Sequence, residues 1–355
     1  MEKPARSFNT VKNSNRKARK ERRLLERKVL LAILAVAALI LLVLAVFLVS
    51  SLVQVIVESF GNNDPTPPAE TPVSITYTQK TQESTGIYAG ELIVVSQKDN
   101  LQYQLPEPGN LVSLLDLRQP QNGTNPYQIL TIDNSTTSLQ YAAAHAANAM
   151  LTDFYLKYQD NSLIFIDGYR TPEHQNSFST PVGFSEHQTG LVFTVRTYMS
   201  DSKHHPLAEN AFKDWIYQNA HKYGIICRYP DAKETLTGVS DYDYCFRYVG
   251  IPHATYIYQN NLCLEEYVAL LQTRTVQNPL TVTTESGSYQ IYYVAASADQ
   301  LTTLTVPKDF VDKSNYLPPN RKTFDGYLPA AGEYTVSGDN KQGFIITVNL
   351  TSPGA

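Results

Sequence analysis

Cysteine is scarce and odd in number. Cys227, Cys245 and Cys263 are the only three in 355 residues. An odd count cannot pair completely within one chain, so a disulfide-built framework is excluded. At least one thiol must be free, pair with another chain, or serve a site. Tryptophan occurs once, at Trp215, although tyrosine is abundant. Charge is missing altogether from Val29 to Val49, and only Ser50, Ser51 and Gln54 soften the apolar run before Val57. A helix needs about 20 apolar residues to cross a bilayer. A cleavable signal peptide has a shorter apolar core of roughly 7–15 residues and a small-residue cleavage site. Gln54-Val55-Ile56-Val57 is a poor one, so residues 29–57 are expected to form an uncleaved transmembrane signal anchor.

The net charge of −4 hides an asymmetry. Residues 1–28 hold eleven Lys and Arg against three Glu, so this arm is +8 and the remainder −12. A basic arm alone could suggest nucleic acid. Placed directly before an apolar run, it points instead to the positive-inside rule and a cytoplasmic N-terminus. The expected partner of the arm is therefore the inner membrane surface, not nucleic acid, and everything after about residue 58 should lie outside the cell. Residues 58–85 include Pro65, Pro67, Pro68 and Pro72 among Thr, Asn and Ser. Such a segment buries little apolar surface and reads as a stalk.

Residues 86–272 read as the main domain. Short apolar runs at Ile87-Tyr88, Leu92–Val95 and Leu111–Leu115 suggest short strands or turns. Leu139, Ala142, Ala146, Met150, Leu151 and Phe154 recur at helical spacing over Ser138–Tyr158, with His145 as a packing residue within the pattern. Leu163–Asp167 reads as a buried strand that delivers Gly168-Tyr169-Arg170-Thr171-Pro172 and then Gln175. Next comes Gly183-Phe184-Ser185-Glu186-His187-Gln188-Thr189-Gly190, which feeds the apolar strand Leu191–Val195. His204 and His205 read as solvent-facing. Ala208–Tyr223 reads as a helix ended by Gly224. Tyr242-Asp243-Tyr244-Cys245-Phe246-Arg247-Tyr248-Val249-Gly250 answers the first motif, and a helical stretch runs on from Ile251 through Leu271, with Cys263 packed inside it. Residues 278–350 change character to strands, at Leu280–Thr283, Tyr289–Val294 and Gly343–Val348, and read as a small β module.

Ser-x-His-x-x-Gly before an apolar strand resembles the VanY-type zinc D-alanyl-D-alanine carboxypeptidases, which belong with the lysostaphin and hedgehog-like peptidases. That family reads Ser-x-His-x-x-Gly-x-Ala-x-Asp here and Glu-Pro-Trp-His-Phe-Arg-Tyr-Val-Gly later. Gly-Tyr-Arg-Thr with Gln five residues past the Arg, and Tyr-Gly-Ile-Ile-x-Arg-Tyr-Pro at residues 223–230, extend the likeness over about residues 138–272. The resemblance implies an α+β fold with an antiparallel sheet and helices. It also implies zinc held by two His and one Asp, and a Glu as general base. In this chain the first ligand is His187, the Asp position is Thr194, the second His position is Cys245, and the base position is Tyr242. Arg170, Gln175 and Ser185 match residues that the family places at the bound peptide.

Thr194 is neutral and a poor zinc ligand, whereas a Cys245 thiolate binds zinc well. His187 and Cys245 make two-thirds of a site, which Asp241 or Asp243 would have to complete. Tyr242, with an ordinary pKa of about 10, offers no base near neutrality. Three readings follow. The first is a surface pseudopeptidase that keeps the groove for peptidoglycan stem peptide or a cell-wall protein. The second is an active D,D-carboxypeptidase with an altered His/Cys zinc site. The third is a Cys245–His187 thiol–imidazole pair, set against Cys245 as a small buried hydrophobe.

Overall fold

A computed structural model describes residues 75–104, 106–117, 131–132, 137–314 and 330–350. The basic arm 1–28, the apolar run 29–57 and most of the stalk lie outside them. Among the described residues no helix is long and apolar enough to cross a membrane.

The first described strand is β1 (Tyr77–Glu83), earlier than composition suggests. These residues fall in the segment read as stalk, yet they pair over their whole length with a strand near the C-terminus. Helix and strand then alternate: β2 (Leu111–Ser113), α1 (Leu114–Leu117), β3 (Thr131–Ile132), β4 (Ser138–Gln140), α2 (Tyr141–Tyr158), β5 (Leu163–Asp167) and α3 (Pro172–Gln175). After these come β6 (Val192–Tyr198), β7 (His204–His205), α4 (Lys213–Asn219), β8 (Ile225–Cys227), α5 (Glu234–Thr237), β9 (Cys245–Tyr248), α6 (Ile251–Gln259) and α7 (Leu264–Leu271).

The body is built on the sheet β3-β5-β6-β9-β8, antiparallel except for β3 with β5. Alternation along its central strands sorts side chains between two faces. Phe193, Val195, Phe246 and Tyr248 join the core under α2, with Phe165 5.1 Å from Phe193 and Phe246 5.8 Å from it, centroid to centroid. Helix α2 is Ala-rich, which favours helix and lets it lie close on the sheet. It ends where Gln159 turns left-handed at φ 53°. The opposite face carries Val192, Thr194, Cys245 and Arg247.

Two expected helices are broken. Ala208–Tyr223 is a 3-10 turn, the short α4, and another turn up to Gly224 at φ 77°. Ile251–Leu271 is divided at Asn260–Cys263: Asn261 adopts φ 50°, and the Cys263 amide donates to Glu266 at 2.9 Å to start α7. Cys263 is buried, but as a helix cap, and none of the three cysteines is paired.

The C-terminal strands are β10 (Leu280–Thr284), β11 (Gly287–Ala295), β12 (Leu301–Pro307), β13 (Val311–Asp312), β14 (Glu333–Gly338) and β15 (Gly343–Asn349). They form the sheet β10-β11-β15-β14-β13 and the ribbon β1-β12. The two enclose Tyr292, Leu304, Val306, Phe344, Ile346 and Val348. This module is fused to the body. Leu280, Val282, Ile291 and Ile345 share one core with Leu92, Val94, Val249, Leu264 and Leu271. Buried His253 of α6 reaches Tyr267 Oη at 2.8 Å and Thr347 Oγ1 at 3.1 Å, tying both parts with one ring.

Candidate functional site

Strand register assembles the site. Asp167 on β5 is opposite Thr194 on β6, and Thr194 is opposite Cys245 on β9. The row of three crosses the sheet on the face away from α2. Beside it, the turn Glu186–Thr189 brings in His187, closing on Gly190 at φ 70°, where a side chain would also meet Leu111.

His187 is buried and both ring nitrogens are engaged. Nδ1 lies 2.7 Å from the Gly168 carbonyl, which can only accept, so Nδ1 carries the proton. Nε2 is then the acceptor, and the Tyr242 hydroxyl donates to it at 2.9 Å. Gly168 also lets β4 pass close by, since a Cβ there would stand 2.7 Å from the Ser138 carbonyl oxygen. Burial lowers the imidazole to about 4, Arg170 adds to the fall, and Asp167 with the Gly168 bond only partly offsets it. The ring is neutral at pH 7.

Tyr242, at the family's base position, covers His187 Nε2. Its ring stacks on Tyr229 at 5.7 Å and 13°, meets Tyr244 edge-on at 5.0 Å, and packs with Val192 and Cys245. Burial, followed by Cys245, pushes its phenol far up, so it has no basic form near neutrality. Thr194 is 1% exposed, and among the described residues its hydroxyl has no hydrogen-bond partner. Cys245 is fully buried. Burial first, then Glu186 and Cys227, hold its thiol well above the ordinary value.

The donors implied by the family's zinc do not fit a metal here. The Nε2 lone pair is taken by Tyr242, Thr194 is neutral, and the Cys245 thiolate is strongly disfavoured. Among the described residues no three His, Cys, Asp or Glu come together in a way that could hold an ion. Asp243 does not complete the site: it accepts from the Tyr217 hydroxyl at 3.1 Å. Asp241 is exposed at the groove rim, with φ 53°. The thiol–imidazole pair fails on the same facts, because both His187 nitrogens bond elsewhere.

Arg170, Ser185 and Gln175 separate. Arg170 lines the groove while donating from Nε (2.7 Å) and Nη2 to Asp167 and from Nη1 to Gln175 at 3.2 Å. Three of its five N–H donors are thereby committed, and the plane lies 3.5 Å over Phe178. Ser185 lines the groove next to His187. Gln175 is fully buried, and its amide donates to the Thr180 carbonyl at 2.7 Å. It positions Arg170 rather than touching a ligand. His205, expected in solvent, is half-buried and bonds Asp201 and Glu209.

Tyr242 divides the groove into two lobes that share Arg170, Thr180, Val239 and Ser240. The larger, about 670 Å³, reaches Thr194, Asp167 and Asp241. The smaller, about 330 Å³, reaches Ser185, His187 and Lys98.

Behind the site lies a charge network that sequence reasoning missed. Glu186, fully buried, pairs with Arg228 at 2.9 Å and Arg247 at 2.6 Å, and Arg228 also grips Glu265 with both nitrogens. Burial alone would raise the Glu186 carboxyl, but Arg228 and Arg247 outweigh it and hold it low. Arg247 also donates to the Glu91 and Ile93 carbonyls. The signal was there, in a Glu inside Ser-x-His and Arg residues in both later motifs.

Residues 131–251 match the VanY family, described as D-alanyl-D-alanine carboxypeptidase. The bifunctional D-Ala-D-Ala dipeptidase and carboxypeptidase VanXYC of Enterococcus gallinarum is 33% identical over 127 residues, 30% of this chain and 67% of that protein. The chain belongs to the VanY family. A D-alanyl-D-alanine carboxypeptidase of Enterococcus faecium is 27% identical over 282 residues, 76% of this chain and 80% of that one. Among solved structures, the vancomycin-resistance D,D-dipeptidase VanXYg has a TM-score of 0.59 at 22% identity, covering 77% of this chain and 99% of its own. That likeness establishes the α+β peptidase fold. The Enterococcus faecium alignment is longer than the matched segment, so the sequence likeness does not stop at its edges.

Proposed function

We propose that this chain is a membrane-anchored, extracytoplasmic pseudopeptidase that holds peptidoglycan stem peptide in its groove without hydrolysing it. The observation that carries this reading is the hydrogen bond from Tyr242 to His187 Nε2, at 2.9 Å. It puts a phenol at once on the metal-binding lone pair and in the position of the family's base. Losing a positioned base removes on the order of 10²–10⁴ in rate by itself. Three changed positions, Thr194, Tyr242 and Cys245, remove base and ligands together. The groove is kept: Arg170 lines both lobes, and a guanidinium suits the free carboxylate of a peptide ending in D-Ala-D-Ala. The relatives named above act on D-Ala-D-Ala, which gives that peptide end its place in this reading.

Residues 29–57 would hold the protein in the membrane, with the arm 1–28 on the inner leaflet and the body outside. Protease added to intact cells should then remove the body and spare the arm; a protected body would reject this topology.

The activity test is D-alanine release from a stem pentapeptide, with elemental analysis of the purified full-length chain. The expected result is no release and no stoichiometric zinc. Release that a chelator abolishes, with one zinc lost in Cys245→Ala, would establish the altered His/Cys hydrolase instead. Combining Tyr242→Glu, Thr194→Asp and Cys245→His should return about one zinc per chain. A folded triple variant without zinc would show that more than these three positions has changed.

A further inference from the structure

A second cleft shares no lining residue with the groove. It has a volume of about 430 Å³ and lies where three elements meet. Helix α6 supplies Ile251, Thr255 and Gln259, which are four positions apart and so share one helix face. The turn before Gly224 supplies His221 and Lys222, and the β10–β11 hairpin supplies residues 283–286.

The cleft has no charge preference. Lys222 and Glu285 are both exposed and opposite in sign, so they select neither a cation nor an anion. The other polar groups are hydroxyls and the Gln259 amide, and each of these can donate and accept. The hairpin hydroxyls are already in place. Thr284 Oγ1 is 2.9 Å from Ser286 Oγ, and Ser286 Oγ is 3.2 Å from Tyr289 Oη. Thr255 differs from them. It is 6% exposed, and its hydroxyl makes no hydrogen bond among the described residues, yet unlike that of Thr194 it is not sealed off. A wholly apolar ligand would cover this hydroxyl without bonding it, which is costly. Beside it, His221 stacks on Tyr258 with centroids 4.1 Å apart and planes 4° from parallel, and Tyr258 is 47% exposed. Aromatic faces are negative. They suit a ring that presents polarised C–H bonds on one side and hydroxyls around its edge, and a pyranose has both.

We propose that this cleft binds a neutral saccharide. Thr255 Oγ1 and the Gln259 amide bond its hydroxyl or acetamido groups, and the His221–Tyr258 stack carries its C–H face. The proposal does not depend on how the groove is read, because the two sites have no residue in common. The saccharide is either an N-acetylated amino-sugar chain or a plain hexose polymer, since both present the same ring chemistry.

Saturation-transfer NMR on the full-length chain separates these sources. An N-acetylglucosamine tetramer, a glucose tetramer and a blocked, uncharged tetrapeptide are titrated in turn. The amino-sugar tetramer is expected to bind, and Thr255→Val and Gln259→Ala should each weaken it at least fivefold. Gln259 is exposed, so its variant keeps the test open if Thr255→Val fails to fold. Equal or tighter binding of the glucose tetramer, with the same sensitivity to both variants, upholds the saccharide site and assigns it to a plain hexose polymer. The proposal is overturned if neither sugar binds, if sugar binding is untouched by the variants, or if only the tetrapeptide binds.

Discussion

Two clusters lie on the same face of the same sheet, and they have opposite fates. Behind the groove, Glu186, Arg228, Arg247 and Glu265 form a closed set of buried charges, each with a partner between 2.6 and 3.0 Å. In front, His187, Thr194, Tyr242 and Cys245 are all uncharged, and one of them, Thr194, has no partner for its hydroxyl. The rear cluster cannot be changed piecemeal, because removing one charge strands another in a dry interior. The front cluster stands at the positions where the VanY-type resemblance implies zinc ligands and a base. Exchanging Asp, Glu and His for Thr, Tyr and Cys removes ligand charge and the need for the cation together. In the pseudopeptidase reading proposed above, the charges that shape the scaffold are thus separate from the positions that would react.

The strongest way to break this contrast is to strike the rear. Glu186→Gln leaves Arg228 with only Glu265 and Arg247 with only backbone carbonyls. Breaking a buried pair on one side costs roughly 3–5 kcal/mol. Urea unfolding should show a loss of that size. A loss below about 1 kcal/mol would mean that the network is no more than decoration around the fold.

Next in size is the acid response of the front. The folded His187 titrates near 4 against an ordinary 6.5, so its folded value is depressed. Between those values the unfolded chain binds a proton that the folded chain refuses, so stability rises with pH across that window. The contribution is complete above 6.5 and is lost as pH falls toward 4. From pH 7 to 5 this one ring should account for about 2 kcal/mol. His253, lowered by burial to about 3, adds a similar slope of the same sign. Stability followed at several pH values should therefore depend less steeply on pH in His187→Gln, and an unchanged slope would show that His187 takes up its proton at the same pH folded as unfolded.

Much of this arrangement was legible from residue order. The motif order brought together His187, Arg170 and Ser185, which line one groove. What escaped was decided by partners distant in the chain. Glu186 acquires its role only from Arg228 and Arg247, 42 and 61 positions on. Gln175 looked like a ligand contact because nothing in sequence says that its amide points into protein. Tyr77–Glu83 looked like stalk because its Thr, Gln and Lys carry no apolar alternation; the strand exists because β12 supplies its hydrogen bonds. The junction at Asn260–Cys263 was hidden by helical spacing that continues on either side of it.

Tyr242→Phe tests the front more gently. It removes one hydroxyl from a part-buried bond, and the loss should be about 1 kcal/mol. The informative readout is the imidazole itself, because Nε2 is left without its donor. Nitrogen chemical shifts of His187 should move while Nδ1 stays protonated against Gly168. Unmoved shifts would mean that the hydroxyl and Nε2 do not meet in solution.

The smallest expected effect has the opposite sign, and it sharpens the comparison most. Thr194→Val keeps nearly the same volume and branching while deleting a hydroxyl that is buried without a partner. The rear network can only lose by substitution, whereas this front position should gain, by up to about 1 kcal/mol, because an unsatisfied group is removed rather than a made bond. Thermal unfolding should therefore shift upward. A Thr194→Val chain that melts lower would mean that its hydroxyl has a partner within the protein, and would return Thr194 to the ranks of ordinary core residues.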